Sequence, residues 1–431
     1  MYNKIINLIR TNYTILFATI IIIVGISKLF ISYYLQDTAF NRGNSHSAII
    51  SLAKNIANHN TFSIEYPTFS IDYEPLYPFL IGMSFKLFGD NWFAIALLNT
   101  ILISIATYLF YLTSRVILKK LIAVVTSIYF LLYPYYFLYS LSVQDTNLFL
   151  MLLLSLLYLL ISYSKNQSFA TFAEIGIIIG LLMLTRGSII AILPAVLIFI
   201  SYNEIIIAKN YKRLIKNISI IVLFAVITIS PWIVRNYMLT EKIIISTHGP
   251  FGLWQGNNEL SYHFLTNDIS LDQIYLSSPH PEIIKKYPPI PREPKATIKV
   301  ANAYQREALT FIKNKPKEFL SLAYVKFHKF WSPIRTPIGK NFLYGTNNLR
   351  QYIYFISYFP LLILFPIGII LLYKQKKGIF ILFLGILFFY TLAHMIVMGF
   401  TRARIPLDTI LILSTGFLLR HFHQYFNRNE I

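Results

Sequence analysis

Long apolar runs without charge most limit what this chain can fold into. Ile218 to Ile229 carries no charged residue, and neither does Leu148 to Leu160. In a bilayer core every backbone N–H and C=O must find its partner within the protein, so such runs become helices. A helix of roughly 20 residues crosses the hydrocarbon. Applied along the chain, this ruler predicts about ten spans, near residues 13–35, 92–115, 121–140, 146–163, 171–186, 188–203, 215–233, 352–373, 378–398 and 405–420. The hydrophobic share of 56% agrees, since soluble domains sit nearer ~45–50%. The first run is too long for the core of a signal peptide and is followed by no small-residue cleavage site, so it reads as an uncleaved span.

The net charge of +20 can suggest nucleic acid. Here the cations crowd short loops between apolar runs, which points to membrane topology and lipid head groups and to no nucleic acid. Lys4, Arg10, Arg115, Lys119, Lys120, Lys165, Lys209, Lys212, Arg213, Lys216, Lys374, Lys376, Lys377, Arg420 and Arg428 fall on one side. The short loops of the other side hold only Arg186, Arg402 and Arg404. The expectation is a multi-pass protein of the plasma (inner) membrane with both termini cytoplasmic. The long polar stretches 36–91 and 236–351 then lie on the external, periplasmic face. Three units follow: 1–235 with the first external loop 36–91, an external domain 236–351, and C-terminal spans 352–431. The chain has no cysteine, which excludes disulfides, thiolate nucleophiles and cysteine-ligated metal or iron–sulfur sites.

The first external stretch opens with a predicted amphipathic helix over Ser45–Asn58, with Ile49, Leu52, Ala53 and Ile56 at helical spacing. Turns follow, punctuated by Pro67, Pro75 and Pro78. Leu76–Gly89 reads as a helix lying at the interface. In the second stretch, Ser277–Pro294 is proline-rich and reads as an irregular loop. Ala301–Lys313 and Pro316–Phe330 read as short amphipathic helices.

Few of the 18 acids fall at the outer membrane face. Asp145 opens the fourth span; it is either a first-turn acid favoured by the helix dipole or a carboxylate that binds a cation or hydroxyl. Asp72 and Glu74, in IDYEPLYP, are either a solvated loop or paired carboxylates for general-base work or for a divalent ion. A metal held by Asp145 with Glu74 is a further expectation. Arg186, Arg235, Arg402 and Arg404 each sit at a span end. Any one of them reads most simply as snorkelling, yet four on one face suit a phosphate. His394 reads as a packing residue. No HExxH, P-loop or Rossmann glycine pattern is present, so no nucleotide site is expected.

Several stretches together carry a resemblance: EPLYPFLIGMSFKLFG, LLMLTRG, SPWIVRNY with HGPFGLWQGNN, FIKNKPKEFLSLAYVKFHKFW, and HMIVMGFTRARIPLD. They resemble membrane glycosyltransferases of the GT-C superfamily, in the bacterial branch related to protein O-mannosyltransferases and aminoarabinose lipid A transferases (glycosyltransferase family 39). The resemblance covers nearly the whole chain. It implies an all-α polytopic bundle with juxtamembrane helices and a small mixed external domain. It implies a polyprenyl-phosphate-linked sugar as donor, inverting transfer to a lipid, glycan or protein acceptor, and a first-loop carboxylate as base. The acidic position that the family places before the first amphipathic helix falls at Asn44, Ser45 or His46, none of them a carboxylate. The base role therefore passes to Glu74, Asp72 or His46, with Asp145 as the second acid. Arg235, Asn236, Arg186, Arg402, Arg404, Asn257 and Tyr77 are the expected substrate-binding residues. Alternatives are a transporter or flippase of a lipid-linked sugar, and a non-catalytic relative that binds the lipid.

Overall fold

The computed structural model describes residues 2–35, 44–163, 168–266, 292–333, 348–399 and 401–426. The described chain is helical; the only strand-like feature in it is an isolated bridge between Glu65 and Thr68. The helices are α1 (Tyr2–Tyr34), α2 (Asn44–His59), α3 (Leu76–Phe88), α4 (Trp92–Ile117), α5 (Lys120–Leu132), α6 (Pro134–Tyr139) and α7 (Thr146–Ser162). After them come α8 (Phe169–Met183), α9 (Leu193–Ser201), α10 (Tyr211–Thr240), α11 (His248–Gly256), α12 (Glu259–Thr266), α13 (Pro294–Asn314), α14 (Pro316–Trp331), α15 (Asn348–Gln375), α16 (Lys377–Ile396) and α17 (Thr401–Phe426).

This is a multi-pass membrane protein. Seven of the described helices or helical runs are long and apolar enough to cross: Ile15–Tyr34, Trp92–Ile117, Gly187–Ile207, Tyr211–Thr240, Gln351–Gln375, Lys377–Ile396 and Thr401–Tyr425. The other three expected spans are the shorter helices α5, α7 and α8, of 13, 17 and 15 residues. In α5 the reason is chemical. Pro134 has no N–H to give and disfavours helix in the residue before it. The helix ends at Leu132, and Pro134 starts a separate turn of helix at its first position.

The core explains why α7 is apolar on all sides. It is wrapped by α4, α8 and α17, and Phe149, Leu150, Leu153, Leu154, Leu156, Leu157 and Leu160 are fully buried. Helices α1 and α10 sit at the rim and expose apolar side chains, as a lipid-facing helix does. Capping sets some helix starts: the Asn91 side chain accepts from the Ala94 N–H at the start of α4. Ser168 does the same for Thr171 at the start of α8.

Helices α8 and α10 meet through Gly176 and Gly180, a GxxxG pair that lets backbones approach. A Cβ at Gly176 would lie 2.4 Å from the Ile221 carbonyl oxygen, and one at Gly180 2.6 Å from Thr228 Cβ. Gly176→Ala adds helix propensity of ~0.5–1 kcal/mol. Overpacking against a backbone atom costs about 1–3 kcal/mol, so the clash dominates. Gly176→Ala is expected to lower the thermal midpoint of the detergent-solubilised protein; an unchanged midpoint would contradict so close an approach.

The described part of 236–351 is helical. Trp254, Tyr304 and Ala308 join α11 to α13, and Leu265, Phe311 and Leu322 join α12, α13 and α14. Helices α13 and α14 cover the two amphipathic helices expected from sequence, with α13 starting earlier, at Pro294, where the Glu293 side chain accepts from the Lys295 and Ala296 N–H groups. Most of the proline-rich stretch 277–294 lies outside the described residues.

Candidate active site

The first loop, 60–75, is built on its own hydrogen bonds. Asn55 Nδ2 donates to the Ser63 carbonyl at 2.8 Å, Ser70 N–H to the Phe62 carbonyl at 2.9 Å, and Ile64 N–H to Ser70 Oγ at 2.9 Å. Two backbone bonds then fix where its acids stand. Leu76 N–H donates to the Leu184 carbonyl at the end of α8 (3.0 Å), and Thr247 N–H donates to the Ile71 carbonyl (3.1 Å). Residues 71–76 are thus tied to the segment before Arg186 and to the 246–248 turn.

Arg235 and Asn236 supply the frame for this junction. Arg235 Nη1 donates to the Ser70 carbonyl (2.9 Å) and to Asn236 Oδ1 (2.7 Å), and Nη2 donates to the Phe62 carbonyl (3.3 Å). The guanidinium lies over the Trp232 ring, 4.4 Å from its centroid. Asn236 Nδ2 donates to the Ile244 and Ile245 carbonyls, and Trp232 Nε1 also reaches the Ile245 carbonyl. The Pro-Trp-x-x-Arg-Asn stretch holds both loops in place.

Asp72 and Glu74 face different partners. Asp72 Oδ1 accepts from Thr247 Oγ1 at 3.3 Å, and Oδ2 lies 3.9 Å from Arg292 Nη1. Burial pushes the Asp72 carboxyl up, outweighing the opposite pull of Arg292, Thr247 and His248. Glu74 Oε1 accepts from Ser246 Oγ at 3.1 Å, and Oε2 lies 4.0 Å from His248 Nδ1. Glu74 Oε1 also lies beside Gly187, 3.7 Å from where a Cβ would stand, so this carboxylate borders Arg186.

Asp145 meets Arg186 in a two-pronged pair. Arg186 Nε donates to Oδ2 at 2.9 Å and Nη2 donates to Oδ1. Arg402 Nη2 stands 4.0 Å from Oδ1. Burial alone would raise the Asp145 carboxyl, but Arg186 first, then Arg402 and His248, hold it below the usual carboxylate range. An ionised carboxylate so engaged orients guanidinium groups and is a weak base. The Asp145 loop is anchored through Tyr77, whose buried OH donates to Asn99 Oδ1 at 3.0 Å, while Asn99 Nδ2 donates to the Ser142 carbonyl at 3.0 Å.

The residues expected from sequence therefore divide. Glu74, Asp72, Asp145, Arg186 and Arg402 come together. Arg235, Asn236 and Tyr77 hold the loops that carry them. Asn257 is fully buried and bonded to the Leu253 and Ile396 carbonyls and to Lys326. Arg404 is fully buried against Asp408. Helix α2 starts at Asn44, but the side chain of His46 lies outside the described residues.

Ser246, Thr247, His248 and Arg292 were not expected. His248 sits in the HGPFGLWQGNN stretch, but no spacing rule ties residue 248 to residue 74. The Glu74–His248 pair offers two groups to a divalent ion, while Asp145 is engaged by guanidinium groups. Among the described residues no three His, Asp or Glu side chains gather into a metal-ligand set. The described donor set therefore offers a divalent ion too few ligands to hold it.

A family model described as dolichyl-phosphate-mannose-protein mannosyltransferase matches residues 72–234, less than half of the chain, and those residues include Asp72, Glu74, Asp145 and Arg186. No curated protein sequence matches. The archaeal oligosaccharyltransferase AglB from Archaeoglobus fulgidus, solved with an inhibitory peptide and a dolichol-phosphate, is similar in structure. Its TM-score is 0.54 at 16% identity, covering 97% of this chain and 52% of that one. The Archaeoglobus fulgidus oligosaccharyltransferase tethered to an acceptor peptide gives 0.51 at 14% identity, covering 94% and 49%. ArnT from Cupriavidus metallidurans bound to undecaprenyl phosphate gives 0.46 at 12% identity, covering 95% and 78%. The chain spans about half the length of the oligosaccharyltransferases. It resembles the GT-C superfamily, and at these identities the likeness to solved structures is one of fold.

Proposed function

We propose that this chain, with its resemblance to the GT-C superfamily, moves a sugar from a polyprenyl-phosphate carrier to an acceptor hydroxyl at the external face of the membrane. The observation that carries the reading is the meeting of two guanidinium groups, Arg186 and Arg402, with the Glu74 carboxylate beside Arg186. The family model that covers these acids and Arg186 is named for a dolichyl-phosphate sugar donor. AglB was solved with a dolichol-phosphate, and the Archaeoglobus fulgidus oligosaccharyltransferase was solved tethered to an acceptor peptide. A lipid-phosphate donor and a hydroxyl or peptide-borne acceptor are the corresponding partners here.

The chemistry follows from the charges. Departure of the sugar leaves negative charge on the carrier phosphate. Arg186 and Arg402, oriented by Asp145, stabilise that charge, and a guanidinium pairs with phosphate oxygens two at a time. The acceptor oxygen attacks the anomeric carbon as the bond to phosphate breaks, and its proton passes to Glu74. Attack opposite the leaving phosphate inverts the anomeric centre.

The test uses purified full-length protein and undecaprenyl-phosphate-linked hexoses and pentoses, with extracted envelope lipids and peptides as acceptors. Release of undecaprenyl phosphate with labelled product is expected. Arg186→Ala is expected to lower turnover by about 10²–10³-fold, as removal of one charge-stabilising donor does elsewhere. Scrambling of the labelled carrier across liposomes without any transfer would replace this reading with transport.

A further inference from the structure

Arg402 stands on the first turn of α17, and its place depends on the short turn that joins α16 to α17. That turn is clamped from two sides. The Ile396 carbonyl, at the C-terminal end of α16, accepts from Asn257 Nδ2 at 2.9 Å and from Lys326 Nζ at 3.1 Å. Lys326 Nζ also donates to Asn257 Oδ1 at 2.9 Å, which closes a triangle. Asn257 and Lys326 are both fully buried. A buried ammonium is costly unless it is well bonded; the end of a helix, with its unpaired carbonyls and negative dipole, is a favourable partner.

Two glycines press the same turn. A Cβ at Gly256 would lie 1.7 Å from the Val397 carbonyl oxygen, and one at Gly399 would lie 2.5 Å from the Lys326 carbonyl oxygen. Thr401 Oγ1 donates to the Lys329 carbonyl at 3.3 Å. The end of α11, the middle of α14 and the start of α17 are thus locked at one point, three residues before Arg402 at Gly399.

From this closed triangle of Asn257, Lys326 and the Ile396 carbonyl, clamped on the turn that delivers Arg402 to Asp145, we infer that Asn257 and Lys326 are positioning residues for Arg402. The inference rests on the transfer reading above, in which Arg402 faces the departing phosphate. The polar stretch 236–351 thereby controls the reactive centre through the backbone of one turn.

A double-mutant cycle in the purified full-length protein, with an undecaprenyl-phosphate-linked sugar as donor, separates positioning from plain packing. Misplacement by about 1 Å can cost on the order of a hundredfold. Asn257→Ala is therefore expected to lower kcat by roughly that factor with a smaller change in KM. In an Arg402→Ala background the same substitution should lower kcat by no more than about threefold, because the group it positions is already gone. Lys326→Met, which keeps the stem and removes the ammonium, repeats the cycle should Asn257→Ala fail to fold. Additive losses in kcat would overturn the inference and leave the transfer reading standing. A wild-type protein that transfers nothing from any such donor would overturn both.

Discussion

Glu74→Gln is expected to lower turnover by about 10²–10⁴-fold, the contribution of a positioned acid–base group, without loss of fold. The amide keeps the shape of the side chain and leaves an oxygen to accept from Ser246 Oγ, which now meets Glu74 Oε1 at 3.1 Å. It cannot take up a proton. Asp145 cannot replace it, because Arg186 occupies both of its oxygens and holds it ionised. Asp72 is a weaker rival. Its carboxylate faces Thr247 and Arg292, whereas Glu74 borders Gly187 and Arg186. Asp72→Asn should therefore cost less than Glu74→Gln. Turnover assayed with a labelled lipid-linked sugar decides the order. If Glu74→Gln keeps wild-type turnover while Asp72→Asn loses it, the base is Asp72.

The largest effect on stability is expected at Arg404. Both Arg404 and Asp408 are fully buried, with Arg404 Nε 3.0 Å from Asp408 Oδ1. Tyr133 OH donates to Asp408 Oδ2 at 3.0 Å, and Arg404 Nη1 donates to the Phe330 and Ser332 carbonyls. The guanidinium stacks on Tyr358, 3.5 Å from the ring centroid. Removing one partner strands a buried charge, which costs about 3–5 kcal/mol. Arg404→Ala should therefore unfold at much lower temperature or denaturant than wild type in detergent. Arg404→Met combined with Asp408→Leu removes both charges and should recover most of the loss. A folded Arg404→Ala protein that loses only donor affinity would instead place Arg404 at the donor.

Arg404 illustrates why a sequence reading of the site was partial. Four arginines at span ends looked alike, since each sat beside an apolar run on the same face. Burial separates them. Arg402 is one-third exposed, whereas the side chain of Arg404, two residues on, is wholly enclosed. One clue was legible: Arg404 and Asp408 are four apart, the spacing at which helix side chains meet. Arg235 is one of the expected substrate-binding residues, and its donors go to the Ser70 and Phe62 carbonyls, more than 160 residues away in sequence. No local pattern reports such a bond.

The sequence by itself determined that this chain lives in a bilayer and is helical, and it singled out Asp72, Glu74 and Asp145 as acids close to apolar runs. The reason is that hydrocarbon imposes helices on long uncharged runs, and an acid beside such a run is conspicuous. Tertiary structure alone decided which side chains meet those acids. Arg186 and Arg402 reach Asp145, and His248 faces Glu74, across separations of 41 to 257 residues. Such pairings arise from how helices and loops pack, through contacts such as the Thr247–Ile71 backbone bond and the buried Lys326–Asn257 clamp. Those contacts depend on three-dimensional closure, which one-dimensional periodicity does not encode.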